Sequence, residues 1–269
     1  MTSTLQTSAD ATIRTTFMLL WVLAVIVILI AGQWWPSIRD FRDKMLRQWK
    51  PSFVVALLCM FGIIIGGKGF LPIPSIGIFC QAMIGLTLAY GIVGYEPLPV
   101  TQTVIRKEKP IEHMGLMLGA VLAIVITALV VSGLLWGMLL QIFGETMNNP
   151  QGIVSVFPNN AWRTFFFLLA GAGIAEETTY RLVFLSLFWR LTHRPCVAII
   201  LSALLHAAYH LSPLDAVYRQ FWDHPITIFA SSTLMGIVMG YVYLKRGYET
   251  VVLGHTLGDW VPFLLSRVI

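Results

Sequence analysis

The stretch AWRTFFFLLAGAGIAEETTYRLVFLSLFWR, residues 161–190, decides the fold class, because it is one long apolar run with three ionisable side chains near its middle. Arg163 and Arg190 mark its ends, and Glu176 lies 13 residues from the first and 14 from the second. At about 1.5 Å per residue, a helix places Glu176 roughly 20 Å from either end, near the mid-depth of a bilayer. The stretch predicts a transmembrane helix with a polar site halfway along it.

The rest of the chain has the composition of a membrane protein. Of its 269 residues, 57% are hydrophobic and 12% are charged, and the mean hydropathy is +0.77. A soluble domain carries about 25% charged residues, so much of this surface must face a lipid bilayer. Lys and Arg in cytoplasmic loops facing anionic lipid explain the net charge of +5. No interleaved basic and aromatic stretch indicates a nucleic-acid partner.

Eight apolar runs predict an all-α, polytopic bundle of about eight transmembrane helices. They lie at 17–35, 52–66, 73–95, 114–143, 162–190, 195–211, 226–244 and 250–267. With eight spans, the connectors on one side hold twelve Lys and Arg, including Lys107 and Lys109, whereas the other side holds five, including Lys68. The positive-inside rule makes the first side cytoplasmic and turns both termini outward.

The chain divides into three parts by composition and motif. Residues 1–15 are expected to form a polar N-terminal tail, of which residues 1–13 are expected to be disordered. Residues 16–145 are expected to form transmembrane helices without motifs, and residues 160–269 the helical core with the ionisable residues. We expect an integral, multi-pass membrane protein, located in the plasma (inner) membrane if the host is bacterial.

The ionisable residues of 161–190 fall into two groups. Glu177 and Arg181 are spaced i,i+4 and can pair on one helix face, whereas Glu176 lies about 100° away and shares its face with Tyr180. A charge at the bilayer centre costs about 2.5–3.5 kcal/mol even on low scales, so each needs a partner or a function. Glu176 is the candidate base for proton abstraction from water. The alternative for Glu177–Arg181 is a structural ion pair.

Two further runs carry i,i+4 pairs. His206 and His210 share one helix face, but Ala207 stands where a zincin has its Glu, so zincin chemistry is not indicated. His255 and Asp259 are spaced in the same way, and the Asp can orient the imidazole. The alternative for each pair is a hydrogen-bonded contact between helices.

The pattern Glu176-Glu177-x-x-x-Arg181, a His on the next apolar run, and His255-x-x-x-Asp259 resembles the CPBP family of intramembrane proteases. That family includes the CAAX prenyl endopeptidases related to Rce1 and the Abi proteins, and the resemblance covers about residues 162–262. Its FxxxH motif, aligned on His210, puts His206 in place of the Phe, and Asp259 stands for the usual Asn. The resemblance implies catalytic roles for Glu176, His210, His255 and Asp259, and supporting roles for Glu177, Arg181, His206 and Tyr180.

The implied activity is a glutamic intramembrane endopeptidase. Glu176 with His210 would activate a water that attacks a peptide bond of a membrane-associated protein or peptide, and His255 with Asp259 would stabilise the intermediate. We expect no cofactor. The alternative is a metalloprotease with a zinc ion held by His206, His210, His255 and Glu176. A non-catalytic protein, a bacteriocin immunity factor or a proton- or ion-coupled transporter, is the second functional hypothesis, since buried Glu and His residues also mark such paths.

Overall fold

The computed structural model describes residues 2–67, 69, 71–106, 110–148, 157–215 and 217–268. This part of the chain has ten helices and no strand, which confirms the predicted all-α membrane bundle. The helices are α1 (Thr2–Ala31), α2 (Pro36–Arg47), α3 (Trp49–Ile65), α4 (Pro72–Val93), α5 (Pro99–Arg106), α6 (Pro110–Val130, continued by Val131–Leu135 and Trp136–Phe143), α7 (Ala161–Leu168, continued to Thr192), α8 (Pro195–Tyr209), α9 (Pro225–Arg246) and α10 (Tyr248–Val268).

Each of the eight predicted apolar runs lies largely within a helix, but fewer helices meet a strict test for crossing a membrane. Within the described residues, four are long and apolar enough: Ala9–Ala31, Pro72–Val93, Met114–Phe143 and Pro225–Arg246. The pair α2 and α3, bent by 56°, brings the number to five if it forms one broken span. Eight spans and the derived orientation therefore stay predictions, and Lys68, Lys107 and Lys109 lie outside the described residues.

Residues 2–13 are the first turns of α1, so the expectation of a disordered tail is wrong for them. Contacts with the α8–α9 loop, which comprises residues 210–224 with residue 216 not described, explain the difference. Asp10 accepts hydrogen bonds from Arg219 at 2.7 Å and from the Tyr218 hydroxyl at 3.2 Å. Arg14 donates to the carbonyl of Pro213 at 3.1 Å. The sequence does not reveal these partners, because they lie about two hundred positions away.

The larger core cluster contains buried residues of α3, α4, α6, α7, α8, α9 and α10, and α4 and α7 pack closely within it. Of the apolar span in α4, 67% is buried, compared with 6% for the span in α1, so α4 is central and α1 peripheral. A Cβ on Gly85 of α4 would lie 2.7 Å from the Cβ of Leu182 on α7. Glycine therefore permits the backbones to approach closely, as small residues do between membrane helices.

Two carboxylates outside the spans hold the start of α9. Glu145 accepts hydrogen bonds from the backbone N–H groups of Ile226 and Thr227, both at 2.8 Å. Burial raises the pKa of Glu145, but these hydrogen bonds outweigh burial and leave the pKa below its ordinary value of 4.5. Asp223 behaves in the same way, because burial is outweighed by hydrogen bonds from the backbone N–H of Asn148 and from His224, which lower its pKa. Both contacts favour the ionised carboxylates.

Candidate active site

The site is built on α7, which departs from ordinary α-helical geometry where its charges lie. Residues Leu169–Glu176 and Thr178–Leu185 have the wider turns of a π-helix, a feature often found at functional sites. The predicted i,i+4 pair forms there. Arg181 Nε lies 3.1 Å from Glu177 Oε2, and both side chains are fully buried.

Glu177 also reaches across to α10. Its Oε1 lies 2.8 Å from His255 Nδ1, so one carboxylate links the guanidinium of Arg181 to the imidazole of His255. The two helices can approach because Gly173 lies against α10, where an added Cβ would come within 2.2 Å of the Thr256 hydroxyl. Glu177 thereby selects the His255 tautomer with a proton on Nδ1 and directs Nε2 to the opposite side of the ring.

Glu176 is paired with His206 on α8. Its Oε2 lies 3.0 Å from His206 Nε2, and among the described residues Glu176 forms no hydrogen bond with His210. His206 is 2% exposed and Glu176 14% exposed, so the pair is almost shielded from solvent. The ring of Tyr180 lies 4.9 Å from that of His206, and the ring of His255 lies 5.8 Å away.

His210 occupies a different place from the one expected. It caps the C-terminus of α8, and its Nδ1 lies 2.8 Å from Asp215 Oδ2 in the α8–α9 loop. The histidine that meets Glu176 is thus one helical turn earlier than the family alignment assumed. With this register the FxxxH motif falls on Ser202 to His206, and the Ser202 hydroxyl donates to the Tyr180 carbonyl at 2.6 Å.

Asp259 is the most exposed of the predicted site residues. Its Oδ2 lies 3.6 Å from His255 Nε2, longer than a hydrogen bond, and its side chain is 44% exposed. His255 is therefore oriented by the hydrogen bond that its Nδ1–H donates to Glu177, on the opposite side of the ring.

Three side chains have the arrangement of a metal-binding site. One ligand atom each from Glu176, His206 and His255 lies within 4.8 Å of the other two. Two imidazoles and one carboxylate are a common ligand set of catalytic zinc, which leaves a fourth position for water or substrate. The residues therefore fit zinc in donor type. His210, the remaining member of the predicted ligand set, is not in the cluster.

An apolar groove of about 510 Å³ leads to Glu176. The wall opposite α7 is formed by α1 and the start of α4, and Arg14 and Glu176 are the charged residues of its lining. On the α7 side Glu176 is flanked by Thr179 and Tyr180. Such a cleft, apolar with few polar groups, is typical of a binding site. Neither α1 nor α4 contains a motif, so sequence reasoning missed this wall.

Comparison with known protein families gives a match over the part of the chain that holds the site. A family model described as type II CAAX prenyl endopeptidase Rce1-like matches residues 158–261. That range holds α7 to most of α10, the helices that supply all of the ionisable groups of the site. No curated protein and no solved structure matches the chain.

This match over residues 158–261 supports the CPBP/CAAX protease family and confirms the resemblance predicted from the motifs. The long apolar helices of the described residues fit an integral membrane protein.

Proposed function

We propose that this chain is a multi-pass intramembrane endopeptidase of the glutamic type, which hydrolyses a peptide bond of a membrane-associated protein or peptide. The hydrogen bond between Glu176 and His206, together with the position of Glu176 in the lining of an apolar groove, supports this proposal most directly. A carboxylate held by a buried imidazole next to a space for an apolar chain is the arrangement that a water-activating base requires. If the host is bacterial, we expect the plasma (inner) membrane.

The proposed base is Glu176. His206 engages its Oε2, and the described residues provide no hydrogen-bond partner for its Oε1. Oε1 can therefore take a proton from a water as that water attacks the peptide carbonyl carbon. The same proton then passes to the nitrogen of the leaving amine when the C–N bond breaks, so Glu176 returns to its ionised form. The general acid and base are thus one group acting twice.

His255 is the proposed oxyanion stabiliser. Its Nδ1–H donates to Glu177, and we propose that Nε2 gains a second proton, so that Nε2–H donates to the oxygen that gains charge in the tetrahedral intermediate. Arg181 fixes Glu177 from the other side. We propose that Asp259, 3.6 Å from Nε2, acts as a charge partner of His255 until the substrate arrives.

Zinc is the alternative within the same activity. Glu176, His206 and His255 would hold the ion, which would supply Lewis-acid activation of a water. Metal analysis of the purified protein, with activity measured before and after chelation, separates the two mechanisms. One zinc per chain, with loss of activity on removal, would favour the zinc-dependent version over the metal-free one.

The test is cleavage of a membrane-anchored reporter peptide by purified protein in proteoliposomes, with the products identified by mass spectrometry. We expect wild type to cut the peptide and Glu176→Ala to leave it intact. Glu145→Gln, a carboxylate variant outside the site, should cut at the wild-type rate at pH 7. Glu176→Ala also serves as a trap in native membranes, where bound precursors identify the natural substrate.

The same vesicles test the transport hypothesis. A proton or ion flux that Glu176→Gln abolishes, with no peptide cut by wild type, would overturn the proposed peptidase activity. The matched thermal unfolding of wild type and Glu176→Ala shows whether a lost activity reflects chemistry rather than misfolding.

A further inference from the structure

The His206 ring is held in an unusual way. Its Nε2 faces Glu176, but its Nδ1 is buried and has no hydrogen-bond partner in the described part of the chain. A functional histidine is usually oriented by a hydrogen bond from its second nitrogen. Here the ring contacts must do so instead, and the two nearest rings are those of Tyr180 and His210, each with its centroid 4.9 Å away.

His210 is in turn fixed by the α8–α9 loop. Its Nδ1 lies 2.8 Å from Asp215 Oδ2, and the other oxygen of Asp215 accepts the backbone N–H of Val217 at 2.9 Å. Asp215 is 6% exposed, and the ring of Phe221 lies 5.9 Å from that of His210. The His210 ring therefore cannot turn without breaking a buried hydrogen bond.

We propose that His210 and Asp215 are positioning residues of the site. Asp215 fixes the His210 ring, and His210 holds the His206 ring against Glu176, so that the loop controls the geometry of the proposed base. This inference rests on the proposed function for its kinetic consequences, but not for its structural ones. It also explains why a second histidine stands one turn after the one that contacts Glu176.

The same contacts extend to the N-terminal helix. Asp10 of α1 accepts hydrogen bonds from Arg219 and Tyr218 of the loop, and Arg14 donates to the Pro213 carbonyl. The first turns of α1 lie outside the family match and still support the loop that holds His210. We therefore expect Asp10→Asn to produce a weaker form of the Asp215 phenotype.

Kinetics of the reporter peptide test the proposal. Asp215→Ala should lower kcat by about 10- to 100-fold, as the loss of an orienting partner typically does, with KM within twofold. Asp215→Asn keeps an oxygen that accepts from His210 Nδ1–H and should retain most activity. Because Asp215 acts through His210, adding Asp215→Ala to His210→Phe should lower kcat little further. The effects of the two substitutions on kcat are therefore expected not to add.

The matched control is Asp223→Ala. Asp223 pairs with His224 in the same loop but has no contact with the His206 ring among the described residues. Its loss should leave kcat near wild type. An equal fall of kcat in Asp223→Ala and Asp215→Ala, or an undiminished effect of Asp215→Ala in the His210→Phe background, would overturn the proposal.

Nuclear magnetic resonance of protein with labelled histidine rings gives a readout that needs no activity. Asp215→Ala should shift or broaden the His206 ring signals, and Asp223→Ala should leave them unchanged. If wild type cleaves no peptide, the peptidase proposal fails while this measurement still decides the positioning role. Unchanged His206 signals in a folded Asp215→Ala protein would overturn it.

Discussion

Replacing Arg181 with methionine should destabilise the bundle strongly, because it leaves the carboxylate of Glu177 buried without its cation. Both side chains are fully buried and their charged atoms are 3.1 Å apart. Removing one partner of such a pair costs about 3–5 kcal/mol. His255 still donates to Glu177 at 2.8 Å within the described residues and compensates part of the loss, so we expect the lower half of this range.

The double variant Glu177→Gln with Arg181→Met should recover most of the loss. None of the three guanidinium nitrogens of Arg181 has a hydrogen bond within the described residues, because Nε meets Glu177 only as a charge contact at 3.1 Å. The guanidinium therefore loses its hydration without full compensation. Replacing a buried pair by neutral groups is often neutral or stabilising, and the oxygen of the Gln side chain can still accept a hydrogen bond from His255 Nδ1–H. We therefore predict a double variant within about 2 kcal/mol of wild type.

Denaturant unfolding in mixed detergent and lipid micelles measures these free energies. The control is Lys44→Met, which breaks an exposed i,i+4 pair with Asp40 at 2.8 Å and should cost about 0–1 kcal/mol. An Arg181→Met protein as stable as Lys44→Met would refute the reasoning. A double variant that is less stable than Arg181→Met alone would also refute it.

Three further outcomes follow from the same structure. His206→Ala should lower kcat/KM of the reporter peptide by about 10²–10⁴, and His210→Ala by less; the reverse order would contradict the register found in the site. The depressed pKa of Glu145 means that its stabilisation is present above pH 4.5 and is lost as the pH falls through its folded value. A pH titration of unfolding should therefore show a decline in acid that Glu145→Gln reduces, and an identical decline would contradict this assignment. Gly173→Ala should lower both the stability and the activity, because the new Cβ collides with Thr256; a wild-type unfolding midpoint would contradict this close contact.

Much of the fold was predictable from the sequence, because long apolar runs have few alternatives in a bilayer. The Glu177–Arg181 pair was also predictable, since i,i+4 spacing brings two side chains together on any helix. The number of spans was less predictable. Helix α8 has 15 residues, which is short for a span, and the bend between α2 and α3 makes it uncertain from sequence whether they count as one span. The helical start of α1 was missed since its partners are distant in sequence.

The choice between His206 and His210 marks the limit of motif reasoning in the site. Both histidines lie on one face of the same helix, and a periodic pattern cannot say which of two equivalent positions meets a neighbouring helix. Depth along the helix was the available signal, since His206 lies a turn further from the end of α8 and so nearer the level of Glu176. Asp215 gave no signal at all, because it lies beyond the helix, where no spacing rule applies.

The central claim is that Glu176 activates a water that adds to a peptide carbonyl. The most direct measurement is the rate at which proteoliposomes in H₂¹⁸O release a reporter-peptide product with ¹⁸O in its new carboxylate, compared between wild type and Glu176→Gln. We predict labelled product from wild type and a rate lower by about 10²–10⁴ for Glu176→Gln at equal folded protein. Labelled product from Glu176→Gln within twofold of the wild-type rate would contradict the account.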